Sequence, residues 1–338
     1  MRLRLLVLQP TRFLGNAVIS LQTLAALTRA HDVDLVIDDR YASLIHIALE
    51  SRCRVVYYPR AKIKSRSVLG QLKTFYRLVR RVRANRYDMI IDLDGTSLTS
   101  TIIALIRGRH RIGPGFVKHS RFYDQTVPMD QATQHCFDDF ARVAESVNAD
   151  PIPRQYLMLP ELPHPELSPT LTSIPNRQKP LACLHPSASK SYKEWPATQF
   201  ASLSDALHER GYQVIILGAG DGERPTIDAI GEHTRHPFID THNQLDIIQL
   251  AWLIQQCHLY VGNDSGPMHL AAITGTKVVG LFGPTELIRW RPLSETTTIL
   301  ARQNLCDPKC QPEACLGNYR CMSAITLDDV LAAINSER

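Results

Sequence analysis

Short apolar runs recur along the chain and alternate with amphipathic stretches. Leu3–Leu8, Val33–Ile37, Arg54–Tyr57, Met89–Leu93 and Arg109–Gly113 have the length and character of strands. Between them, Asn16–Arg29 sets Val18, Leu21, Leu24, Ala25 and Leu27 on one helical stripe. Leu69–Ala84 and Leu98–Ile106 carry the same spacing. The alternation resumes after residue 180, with strands predicted at Leu181–Leu184, Gln213–Leu217, Phe238–Asp240, Leu259–Val261 and Val278–Phe282. Eight prolines fall within 150–180, which is the composition of a linker. Alternating strands and helices predict an α/β chain with two doubly wound parallel sheets facing a cleft. The expected layout is an N-terminal domain over 1–160, a linker over 161–178 and a C-terminal domain over 179–338.

The stretch LYVGNDSGPMHLAAITGTKVVGLFGPTE (259–286) reads as strand, polar turn, helix, strand, polar turn. Ligands of parallel sheets sit outside the carboxyl ends of the strands, where both turns lie. Gly266 allows close approach of a ligand to the backbone. Pro267 suits the start of a helix, and the free amides there favour a phosphate. Ser265 adds a hydroxyl, Asp264 could hold the turn or a sugar hydroxyl, and His269 lies one turn further on. An ordinary capped helix accounts for these residue types equally well. Two more turns follow predicted strands. Ser187 and Ser189 in HPSASK can donate to phosphate, and Lys193 could neutralise it. Gly218-Ala-Gly220-Asp-Gly222-Glu223 lacks the G-x-G-x-x-G spacing of dinucleotide sites, so nicotinamide binding is a minor alternative. Glu223 could accept from ribose hydroxyls.

Composition narrows the class. The 338 residues are 44% hydrophobic and 21% charged, which is globular. No apolar run is long enough to cross a bilayer, and the start MRLRLLVLQP lacks a secretory pattern, so a cytoplasmic location is expected. The net charge of +5 is unevenly spread: residues 52–121 hold 17 Lys/Arg against three acidic residues. Anionic partners follow from that field. Nucleic acid is not expected, because no recognised module or aromatic platform accompanies the charge. Cys53, Cys136, Cys183 and Cys257 read as buried thiols. Cys306, Cys310, Cys315 and Cys321 have a spacing unlike usual zinc sites; a loop with free thiols is expected, with a metal site as the alternative.

Together HPSASKSYKEWP (185–196), ILGAGDGER (216–224), GNDSGPMHLAA (262–272) and GLFGPTE (280–286) resemble glycosyltransferase family 9, the ADP-heptose:lipopolysaccharide heptosyltransferases. The tail CMSAITLDDV (321–330) looks like heptosyltransferase II-like members. The resemblance implies a GT-B fold of two Rossmann-like domains and an inverting, metal-independent transfer with no cofactor. It implies a donor site of Ser187, Ala188, Ser189, Lys193, Glu223, Leu245, Asp264, Ser265, Gly266, Pro267, Met268 and His269. Arg60, Lys62, Lys64 and Arg66 would face an anionic lipid-linked glycan acceptor at the inner-membrane surface. The last helix is expected to be able to pack back on the first domain. The family usually has L-G-D in its first loop, with the Asp as general base; here the segment is Leu14-Gly15-Asn16. An amide can orient a hydroxyl but cannot take its proton. Asp94, at a predicted strand end, is the first candidate for a replacement base; otherwise the proton passes to water, or the chain transfers slowly or not at all.

Overall fold

The computed structural model describes residues 2–60, 67–106, 108–147, 150–166, 179–305, 313, 315 and 319–336. The chain divides into two compact units, Met1–Leu157 and Met158–Arg338.

In the first unit, strands β1 (Arg4–Gln9), β2 (Asp32–Asp38), β3 (Arg54–Tyr58), β4 (Tyr87–Asp92), β5 (Gly108–Pro114) and β6 (Gln125–Val127) form one sheet. Its order is β3-β2-β1-β4-β5-β6, and every pair is parallel. The helices are α1 (Leu14–Ile19), α2 (Leu21–Ala30), α3 (Ala42–Ala48), α4 (Val68–Arg83), α5 (Ser97–Leu105) and α6 (Cys136–Glu145). Leu5, Leu6, Val7 and Leu8 are all fully buried. A strand apolar on both faces is what a helix-covered parallel sheet demands. One face packs Leu6, Leu8, Val36, Val56 and Ile90 against Leu78, Val82, Ile102 and Ile103 of α4 and α5.

The second unit holds β7 (Leu181–His185), β8 (Gln213–Ile216), β9 (Ile239–Asp240), β10 (Leu259–Asn263), β11 (Lys277–Phe282) and β12 (Thr297–Ala301). Its order, β12-β11-β10-β7-β8-β9, is again all parallel. Two strand halves wound outwards from a central pair are the arrangement of dinucleotide-binding sheets. Helices α7 (Ala197–Glu209), α8 (Arg224–His233), α9 (Ile247–Gln256), α10 (Gly266–Ile273), α11 (Leu287–Trp290), α12 (Arg320–Ser323) and α13 (Leu327–Asn335) complete it. Trp195, Phe200, Leu184, Val261 and Leu281 lie at its core.

Two expectations change. The single helix over Asn16–Arg29 is two, broken at Ser20. The Ser20 hydroxyl, fully buried, lies 2.9 Å from both Gln9 Oε1 and Ala17 O. That side chain competes with the helical ladder, as serine does inside helices. Residues near 160 belong with the second unit: Leu159 N–H donates to Ile273 O, and Leu162 N–H to Gln255 Oε1. The last helix, α13, packs Val330 and Ala333 into the second unit's core.

Candidate active site

A parallel sheet wound in this way reverses direction between its two central strands, and the loops there diverge to leave a crevice. In the second unit that point is β7 beside β10, where His185 stands opposite Gly262. The loop after β7 carries Ser187, Ala188 and Ser189. The turn after β10 carries Asp264 and Ser265 and runs into α10, whose second residue is Pro267. Ser265 is the N-cap but makes no side-chain bond to the helix. Its Oγ lies instead 3.1 Å from His185 Nδ1. An ordinary serine cap is therefore not formed, and the first-turn amides have no side-chain acceptor from it. That leaves the arrangement that binds anions at helix starts.

Charged groups surround this turn. Lys193 Nζ donates to Asp264 Oδ2 at 2.8 Å, with the Asp264 side chain only 7% exposed. Position alone suggests a solvated lysine; the structure half-buries it. Glu223 Oε2 accepts from Ala219 N–H at 2.9 Å and lies 3.5 Å from His185 Nε2. Burial pushes the Glu223 carboxyl up, but His185 and the Ala219 amide outweigh it and hold it below the usual range. Gly218 allows this tuck, because a Cβ there would stand 2.6 Å from Ile227 Cδ1 and 3.4 Å from Glu223 Oε2. Glu194 Oε1 accepts from Ala188 N–H. Burial and then the Glu223 charge push Glu194 up, more than the Ala188 bond and His185 pull it down. The Ser187 hydroxyl is buried without a hydrogen-bond partner. Leu245 is half-buried in the turn before α9, whereas Met268 and His269 are buried inside α10.

His185, Glu194 and Asn263 were not singled out by the sequence. His185 is the last residue of β7, and that position was its signal. Asn263, fully buried, accepts from Trp195 N–H at 3.0 Å and donates to Pro186 O at 2.6 Å. One amide thus fastens the loop of Ser187 and the loop of Lys193 to β10. The Asn263→Ala change strands two buried backbone groups. It is expected to destabilise the protein by about 3 kcal/mol in urea unfolding.

The first unit has its own reversal point between β1 and β4. Asn16 is the third residue of α1, just after β1, and is half-buried. Asp94 follows β4. Buried Asp92 shapes that turn: its Oδ1 accepts from the Asp94 and Gly95 amides, and its Oδ2 from Tyr123 Oη at 2.7 Å. Gly95, at φ 63°, supplies the left-handed residue the turn needs. The Asp94 carboxyl is pushed up to about 6 by burial and by Asp92, against smaller opposing effects of Arg60 and Thr96. The topology brings the start of α1, with Asn16, and the turn of Asp94 to the carboxyl ends of the two central strands. Arg60 donates from Nε to Asp38 Oδ2 at 3.0 Å and from Nη2 to the Pro10 carbonyl, so its charge is partly committed. Lys62, Lys64 and Arg66 lie outside the described residues, as do Cys306 and Cys310. Cys315 is half-buried and Cys321 sits in the core cluster. Cys53, Cys136, Cys183 and Cys257 are buried. Among the described residues no helix is long and apolar enough to cross a membrane.

Residues 75–320 match the model of glycosyltransferase family 9 (heptosyltransferase). Lipopolysaccharide heptosyltransferase 3 of Escherichia coli is 26% identical over 241 residues, covering 69% of this chain and 70% of the relative. A family 9 glycosyl transferase from Veillonella parvula superposes with a TM-score of 0.80 at 20% identity, covering 98% of this chain and 95% of that one. The E. coli ADP-heptose lps heptosyltransferase II gives 0.76 at 19% identity, covering 99% and 98%. These likenesses agree with the two sheets and identify the architecture as GT-B. With nearly three quarters of its length inside the family model, the chain belongs to glycosyltransferase family 9, the heptosyltransferases.

Proposed function

We propose that this protein transfers heptose from ADP-L-glycero-D-manno-heptose to an inner-core lipopolysaccharide acceptor, with inversion and without a metal. It would work at the cytoplasmic face of the inner membrane. The observation that carries the donor assignment is the convergence at one crevice of Lys193, the uncapped start of α10 and the partnerless Ser187 hydroxyl. Those groups suit a pyrophosphate. The E. coli relative named above is a lipopolysaccharide heptosyltransferase, which favours this sugar and acceptor class.

In this reading the acceptor oxygen attacks the anomeric carbon as the bond to the ADP oxygen breaks. Negative charge grows on the diphosphate, so Lys193 and the amides near 265–268 hold it more tightly in the transition state than in the ground state. Lys193 must turn from Asp264 towards phosphate, which frees Asp264 for a sugar hydroxyl. Glu223 takes the ribose, and Leu245 lies towards the adenine. On the acceptor side Asn16 orients the hydroxyl and Asp94 takes its proton. Arg60 and the cations at 62, 64 and 66 face the anionic glycan. One alternative is a family 9 transferase with another sugar or acceptor; a second, resting on Asn16 in place of the usual Asp, is a donor-binding protein with weakened catalysis.

The test is calorimetric titration of the whole chain with ADP-heptose, ADP-glucose, UDP-sugars and NAD. Binding of ADP-heptose in preference to the others is the expected result, followed by release of ADP when a heptose-lacking core acceptor is added. No heat with any ADP-sugar at millimolar concentration, or a preference for UDP-sugars or NAD, would overturn the proposal.

A further inference from the structure

Helix α4 is anchored on one side and bare on the other. Leu78, Val79 and Val82 are buried, and Leu78 and Val82 pack with Val56 and Tyr58 of β3. Yet Val68 is 72% exposed, Leu69 77%, Leu72 60% and Tyr76 65%. At about 100° per residue these four fall within a single strip of the helix surface. Lys73, Arg77 and Arg80 run along the flank of that strip, all exposed. Arg81 and Arg83 continue the positive charge, and the sixteen residues of α4 include no acidic side chain. Four large apolar groups held in water on one helix are not what an unoccupied surface carries.

We propose that this face of α4 docks on an anionic lipid bilayer, with Leu69, Leu72 and Tyr76 entering the headgroup boundary and Lys73, Arg77 and Arg80 meeting lipid phosphates. The charge decides between possible occupants. A second copy would set two cationic strips against each other, whereas an anionic bilayer neutralises the strip and receives its apolar groups together. Tyrosine suits the interface, because its ring is apolar and its hydroxyl stays hydrated. This deepens the membrane setting of the proposed function, and it locates the contact on an element outside the donor and acceptor groups named above.

The experiment is flotation of the full chain with vesicles of phosphatidylethanolamine and phosphatidylglycerol (about 3:1), and with pure phosphatidylcholine, in about 0.1 M salt, where screening is moderate. No donor or acceptor is present. The wild type should float with the anionic vesicles only. Leu69→Ser/Leu72→Ser/Tyr76→Ser should weaken binding by about tenfold or more. Lys73→Gln/Arg77→Gln/Arg80→Gln should weaken it on the order of a hundredfold. Both variants should melt with the wild type, since the altered side chains are exposed. Failure of the wild type to float overturns the proposal, as does equal flotation of either variant. So does a wild-type dimer in sedimentation that the serine variant abolishes, which would show a second copy covering the strip. A chain that floats but transfers no heptose would sink the proposed reaction and leave this surface standing; the converse would do the opposite.

Discussion

Replacing Asp94 by asparagine is expected to lower kcat/KM for transfer on the order of a thousandfold while leaving donor affinity unchanged. The wild-type profile should rise with pH as the carboxyl, pushed up to about 6, loses its proton. A base acts only when deprotonated, so the rate falls below that point, and this limb should vanish in the variant. Stability runs the other way. A carboxyl raised on folding contributes stability below its ordinary range and loses it as pH rises through about 6. The Asp94→Asn change removes a charge that burial and Asp92 oppose, so thermal melting at pH 7 should be no lower than in the wild type. Lost activity with retained stability separates a chemical role from a folding defect. Asn16→Asp provides the control: a carboxylate there should raise transfer, and should rescue the Asp94→Asn variant. A flat wild-type profile between about pH 5 and 7, or near-normal transfer by the variant, would remove Asp94 from the mechanism.

Lys193→Ala should reduce kcat/KM for the donor by about a hundredfold to a thousandfold, with kcat falling further than KM rises. The reason is the timing of charge: the diphosphate becomes more negative only as the sugar departs. There is a competing account. Lys193 pairs with Asp264, whose side chain is 7% exposed, so its loss also strands a carboxylate beside the incoming phosphates. The Lys193→Ala/Asp264→Asn double variant distinguishes the two. If Lys193 merely neutralises Asp264, the double variant recovers most of the activity. If it stabilises the leaving group, transfer stays low although donor binding partly returns. Recovery of transfer in the double variant would refute the leaving-group role.

The legible parts of this chain were those whose reason is local. Leu259–Val261 and Val278–Phe282 announce themselves as apolar runs closed by Gly, Pro and Asp. What escaped was set by partners distant in sequence or by weak edges. Gln125–Val127 is a three-residue edge strand with two exposed positions, too short for periodicity to register. Thr297–Ala301 mixes threonine with aliphatics and is known as a strand only by its pairing to Lys277–Phe282. Helix Cys136–Glu145 begins with His135 as its cap acceptor, an unusual residue for that task. The break at Ser20 depends on Gln9 of a neighbouring strand. At the site, the turn residues were readable because glycine, proline and serine have backbone reasons to be there. The pairing of Lys193 with Asp264 spans 71 residues, and no local pattern foretells it. The exposed apolar strip of α4 escaped for a related reason: periodicity identifies an amphipathic helix but not which of its leucines the core leaves uncovered.

Trp195, two residues along from Lys193, is 1% exposed, and its indole N–H donates to the Ile325 carbonyl at 2.8 Å. Its ring meets Phe200 edge-on at 5.1 Å. The chain therefore carries a dry fluorophore on the same short loop as Lys193, the cation proposed to meet the donor phosphates. It is wired at the other end to the segment between α12 and α13. With Trp252 and Trp290 replaced by phenylalanine, this indole would be the one tryptophan left, and on the proposed reading its emission would report donor capture without a label.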